Sequence, residues 1–138
     1  MPDGPPIPPA DDRTVRLAAR FRVDSWEQEP YAEEPDGTLL SRIRLRREYT
    51  GDLTATGLAE MLSAQGGAGQ GYVAQEWVTG SLAGRSGSFV LHHGALNGEG
   101  EPQQWAVVVP GSATGELAGL TGSGVMHHRL LALDYRLP

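Results

Sequence analysis

A chain of 138 residues is long enough to bury a core, and the absence of cysteine excludes disulfides, thiolate chemistry and cysteine-ligated metals. The net charge is −6 and all 11 basic residues are arginines, a balance that argues against a nucleic-acid-binding face. No run of roughly 18 apolar residues offers a membrane span, and Met1–Arg13 lacks the basic and apolar regions of a signal peptide, so a soluble, cytoplasmic protein is expected.

Five of the ten prolines fall within Met1–Asp12. Residues 1–13 therefore read as a disordered, partly polyproline tail, and residues 14–138 as one domain. From Thr14 the pattern has period two. Val15, Leu17, Ala19, Phe21 and Val23 alternate with mostly polar neighbours and predict a first strand, in preference to a helix over Thr14–Arg22. Pro35-Asp36-Gly37 is turn chemistry. A second strand is expected over Leu39–Tyr49, a third over Leu53–Leu62 and a fourth over Tyr72–Thr79, with the glycine-rich Gln65–Gly71 as a flexible connection. Gly80 and Gly84 bracket a turn before a fifth strand at Gly87–Gly94, and Asn97-Gly98 opens a loop before a sixth at Gln103–Val109. Thr114–Leu120, with Thr114 as N-cap and Glu116 in the first turn, predicts one short helical turn. Gly122–His128 and Leu130–Leu137 bring the count to about eight strands. Such a pattern fits an antiparallel sandwich or a barrel, and a closed barrel removes the exposed edges.

Several stretches carry a family likeness. GYVAQEWVTGSLAGRSGSFVLHHG (71–94) and the segment VVVPGSATGELAGLTGSG that begins at Val107 are joined by FRVDSWEQEPY (21–31) and REYTGDLTATGLAEMLSA (47–64). Together they resemble a bacterial domain family of unassigned function whose fold is similar to the allene oxide cyclase barrel. The chain departs from that pattern at Ala113, where a glycine is usual, and at His92, where a glutamine is common. The resemblance implies an all-β, single closed antiparallel barrel of eight strands with a cavity. It implies no reaction.

Three polar residues fall at interior positions of the expected strands. Glu76 shares parity with Tyr72, Ala74 and Val78, which places a carboxylate on a buried face; it is poised as acid or base, or else pairs with an arginine such as Arg85. His93 shares parity with Phe89 and Leu91 and faces Glu76 if the fourth and fifth strands form a hairpin. Glu76, His93 and Tyr72 are thus the candidate catalytic residues. Trp26 and Tyr49, near strand ends, together with Phe89 and Glu60, are candidate pocket residues, although the parity of Glu60 with Thr54, Thr56 and Leu58 does not clearly place it inside. Adjacent strand residues point to opposite faces, so His92-His93 and His127-His128 cannot each chelate one metal, and no metal or other cofactor is expected.

Gly111-Ser112-Ala113-Thr114-Gly115 lacks the Gly-Lys-Ser/Thr ending of a phosphate loop, so Leu117 and Leu120 are expected to plug a barrel end instead. Arg42, Arg44 and Arg46 lie on one face, away from Ile43 and Leu45, as a solvated outer stripe. Trp77 faces outward, as a contact surface or beneath a covering loop, and a homo-oligomer is left open. The expected function is a barrel that binds a small apolar or amphipathic molecule, as a cofactor-free isomerase or cyclase of a lipophilic metabolite. A non-catalytic carrier and a structural barrel with a filled interior are the alternatives.

Overall fold

The computed structural model describes residues 14–138, so the tail expected over residues 1–13 lies outside the described residues. Eight antiparallel strands follow one another around a closed barrel: β1 (Val15–Glu33), β2 (Leu39–Gly51), β3 (Leu53–Gln65), β4 (Gln70–Leu82), β5 (Arg85–Asn97), β6 (Gln103–Val108), β7 (Thr121–His127) and β8 (Leu130–Arg136). The period-two pattern is the cause. Each strand turns its apolar set inward, as in β2, where Ile43, Leu45 and Tyr49 are buried and Arg42, Arg44 and Arg46 are exposed. The strands β4 and β5 run two or three residues past their expected ends, because they continue to pair down to Leu82↔Arg85 across a turn of Ala83 and Gly84. Gly80 lies inside β4, packed so closely on β3 that a Cβ there would meet the Thr54 carbonyl. Among the described residues no helix is long and apolar enough to cross a membrane.

The two ends of the barrel differ. One end is filled by Leu17, Leu53, Val78, Leu82, Phe89 and Leu131, and is covered by Leu117 and Leu120 from the segment that follows β6. That segment forms a single 3-10 turn at Gly115–Leu117 rather than a longer helix. Thr114 stands at its N-terminus without a capping bond; its hydroxyl accepts from the Ser88 amide and pairs with the Ser88 hydroxyl, so the side chain pins the plug to β5. Gly115 opens the turn with φ of 62°, and Gly119, just past its end, has φ of 89°, both conformations that favour glycine.

The opposite end is splayed. β1 pairs with β8 only over Val15–Arg20, and β6 meets β7 through Ala106↔Gly124 and Val107↔Ser123. Beyond Phe21, whose amide still donates to the Arg129 carbonyl, β1 pairs with β2 alone. A bulge at Asp24 steps the register from Val23↔Arg47 to Ser25↔Arg46, which shifts the inward set of β1 from odd to even residues and turns Trp26 and Gln28 toward the mouth. Trp77 is exposed, as its parity requires, within an outer face that also shows Val73 and Trp105.

Candidate functional site

Between the plugged end and the mouth lies a buried polar layer. Glu76 on β4 and His93 on β5 are both 0% exposed, and Arg47 on β2 is 4% exposed. The register brings them together: Ala74 pairs with His93, placing Glu76 diagonally across from it, and Arg47 pairs with Gly57 of β3. Gly57 has no side chain in the space where the two charges meet. A Cβ there would collide with Glu76 Oε2 and press on Arg47 Cγ.

Each carboxylate oxygen of Glu76 has its own partners. Oε2 accepts the Tyr49 hydroxyl at 2.6 Å, and Oε1 lies 2.9 Å from His93 Nε2 and 3.5 Å from Arg47 Nε. Because a carboxylate only accepts, His93 Nε2 carries a proton and donates it. The other ring nitrogen, Nδ1, lies 3.0 Å from the Tyr72 hydroxyl, and the two rings meet edge to face. Burial alone would raise the pKa of Glu76, but the His93 hydrogen bond, the Arg47 charge and the Tyr49 hydroxyl outweigh it and hold the carboxyl below its ordinary value. Burial and the adjacent Glu76 charge push Tyr49 well above its ordinary value, so its hydroxyl remains a donor. Burial also raises Tyr72, with Arg47 opposing it. Arg47 is otherwise held by Phe21, whose ring centroid is 4.3 Å from Cζ, and by Met126 Sδ at 3.0 Å from Nη1.

Tyr72 links this layer to the outside. It is half-buried and lines a cavity of about 530 Å³ at the mouth, with Trp26, Ile43, Met61, Ser63 and Leu96 among its walls. The Trp26 indole N–H donates to Gln28 Oε1, and the Gln28 amide donates in turn to Ser41 Oγ and Gln65 Oε1, which fixes the rim. His127 and His128 also line the mouth. The expectation that they face opposite ways is corrected: His128 lies in the β7–β8 turn with φ of 50°, and its ring centroid is 3.6 Å from that of His127.

The structure therefore joins Glu76, His93, Tyr72 and Tyr49 into one chain of hydrogen bonds. Trp26 lines the mouth, whereas Tyr49 lies deeper in the barrel and Phe89 belongs to the core of the plugged end. Glu60 is corrected to the outer surface, where it pairs with Arg44, because β3 buries Ala59 and Met61 on the opposite parity. The partner of Glu76 is Arg47, not Arg85, whose guanidinium donates to the Pro138 carbonyl. Arg47 and Ser63 join the site without any motif that marks them in the sequence. Arg47 shares parity with Ile43, Leu45 and Tyr49, and the consecutive pair Arg46-Arg47 must put one guanidinium on each face, so the signal was present. Ser63 shares parity with Ala59 and Met61 in the same way.

Comparison with known proteins agrees with this architecture and brings no activity with it. The model of the DUF3224 family, described as a protein of unknown function, matches residues 17–135. The crystal structure of a DUF3224-family protein with unknown function from Shewanella oneidensis is 33% identical; the match covers 91% of this chain and 98% of that one, with a TM-score of 0.80. No curated protein matches this chain. A family match over almost the whole barrel, supported by a related structure of the same architecture, shows that the chain belongs to the DUF3224 family.

Proposed function

We propose that the barrel binds one small apolar or amphipathic molecule at its open mouth and moves a proton on it without a cofactor, as an isomerase or cyclase. The carrying observation is the continuous hydrogen-bond chain from the mouth, through Tyr72 and His93, to the buried Glu76. With its proton on Nε2, His93 offers Nδ1 to the Tyr72 hydroxyl. Tyr72 takes a proton from the bound molecule as it passes its own to Nδ1. The imidazolium so formed lies against the Glu76 carboxylate, and the reverse transfer returns a proton to another atom of the substrate. In this reading Tyr72 is the catalytic residue, while His93 stores the proton and Glu76 orients the ring. A cavity of this size falls in the ordinary range for a small-molecule site. Eight consecutive strands with one filled end support the likeness to the allene oxide cyclase barrel, without its substrate.

A carrier is the second reading, and the full burial of Glu76 and His93 favours it, since Tyr72 is the one member of the relay to line the mouth. Native mass spectrometry of the purified protein, with extraction of what it retains, separates these readings. A retained lipophilic metabolite is expected, and Tyr72→Phe should abolish its conversion while leaving its affinity within about tenfold. Conversion at the wild-type rate in that variant leaves the carrier. An empty mouth that binds no lipophilic compound leaves a structural barrel.

A further inference from the structure

Two hydroxyl-bearing residues stand side by side on the β3–β4 wall of the mouth, and their unused hydrogen-bonding capacities differ. Ser63 and Tyr72 are directly paired residues of β3 and β4, both on the inner face. Ser63 is 9% exposed and is one of the residues that line the cavity; its Oγ is itself buried just behind that wall and has no hydrogen-bond partner among the described residues. Buried hydroxyls are satisfied as a rule, so an unpartnered one at a cavity wall marks a place where another molecule belongs. Tyr72 is constrained differently. Glu76 fixes the His93 proton on Nε2, so Nδ1 takes the Tyr72 hydrogen, and the Tyr72 oxygen presents only a lone pair to the mouth. Between them the pair offers one donor, from Ser63, and one acceptor, at Tyr72. Among the described residues no carboxylate or guanidinium lines the cavity; Ile43, Met61, Leu96 and Trp26 are its apolar walls, and amide side chains with His127 and His128 make up its polar rim.

Resting on the binding site proposed above, we infer that the ligand of the mouth is an uncharged, largely apolar molecule bearing a hydroxyl group, held between Ser63 and Tyr72. An alcohol or enol oxygen accepts from Ser63 Oγ–H and donates its own hydrogen to the Tyr72 oxygen, satisfying both groups with one atom. A carboxylate lacks the hydrogen for Tyr72 and finds no guanidinium among the described residues of the walls. A carbonyl or ether satisfies Ser63 but not Tyr72. The same geometry sets the hydroxyl proton at the head of the relay.

The test uses three probes of equal chain length, 1-octanol, octanoate and 1-methoxyoctane, titrated at slightly alkaline pH into the isotope-labelled protein and followed by amide NMR shifts. Octanol should bind at least about tenfold tighter than octanoate. It should exceed the methyl ether by roughly three- to tenfold, the worth of one net hydrogen bond. Tyr72→Phe should erase the octanol-to-ether ratio, a comparison that cancels any general loosening of the mouth. Ser63→Ala should weaken both neutral probes by a similar three- to tenfold factor. Tighter binding of octanoate, a ratio that survives Tyr72→Phe, or unchanged affinities in Ser63→Ala would each overturn the inference. If all three probes bind the mouth equally, the hydroxyl preference is wrong and the binding site stands. If none shifts a mouth residue, the site itself is wrong.

Discussion

Glu76 and Arg47 form an ion pair removed from water, and the energetics of such pairs are asymmetric. Loss of one partner leaves the other charge buried without compensation, which typically costs about 3–5 kcal/mol, whereas replacing both by groups of similar shape is often close to neutral. Glu76→Gln should therefore lower the stability measured by urea unfolding by that amount, and Arg47→Met by a similar one. The double variant should regain part of the loss; strictly additive losses would mean that the two charges do not communicate. The same carboxyl has a signature in pH. Its folded-state value is held below the ordinary 4.5, so its stabilising contribution is complete above 4.5 and is lost as pH falls through the depressed value. Wild-type stability should drop more steeply than that of Glu76→Gln as the medium is acidified below 4.5, and parallel curves would refute the assignment.

At the scale of the elements, the charged layer depends on β3 having no side chain at Gly57, directly beside Arg47 and diagonal to Glu76. Gly57→Ala should cost about 1–3 kcal/mol through overpacking. In a Glu76→Ala background the cost should shrink, because the colliding oxygen is gone, and an undiminished penalty would locate the problem in the backbone. At the other end, Leu117→Ala should cost about 2–5 kcal/mol as the plug loses its buried side chain. These elements also mark what could be read from sequence. Alternation in β2, β4 and β5 located the strands and set Glu76, His93 and Tyr72 on one inner face, since a side-chain period of two is a local property. Arg47 carried the same parity signal but was obscured by the outward arginines next to it. The bulge at Asp24 was not legible, because an inserted residue is defined by the partner strand it fails to match, and with it went the reason why Trp26 reaches the mouth. The open capacity of Ser63 is a three-dimensional fact as well, visible only once its neighbours are in place.

Closure of the whole molecule rests on the pairing of its first and last strands, Val15↔Tyr135 through Arg20↔Leu130. Bringing residues about that far apart together costs on the order of 4 kcal/mol in chain entropy, a cost that must be met by the packing of Leu17, Leu131 and Leu133 in the plugged end. The ladder leaves both ends of the described chain on neighbouring strands, with the Arg136 guanidinium donating to the Thr14 hydroxyl. A circular permutant should therefore be tolerated, with Pro138 joined to Thr14 by a short glycine-serine linker and the chain opened at the exposed Asp36-Gly37 turn. Its β8–β1 pairing would become a local hairpin while β1–β2 becomes the long-range closure, and every ladder of the barrel would be preserved. Cooperative urea unfolding, with the buried layer intact as judged by the His93 imidazole NMR signals, is the expected outcome. A permutant that collapses without cooperative unfolding would show that the barrel depends on β1 and β2 meeting first, as a hairpin, before the ring can close.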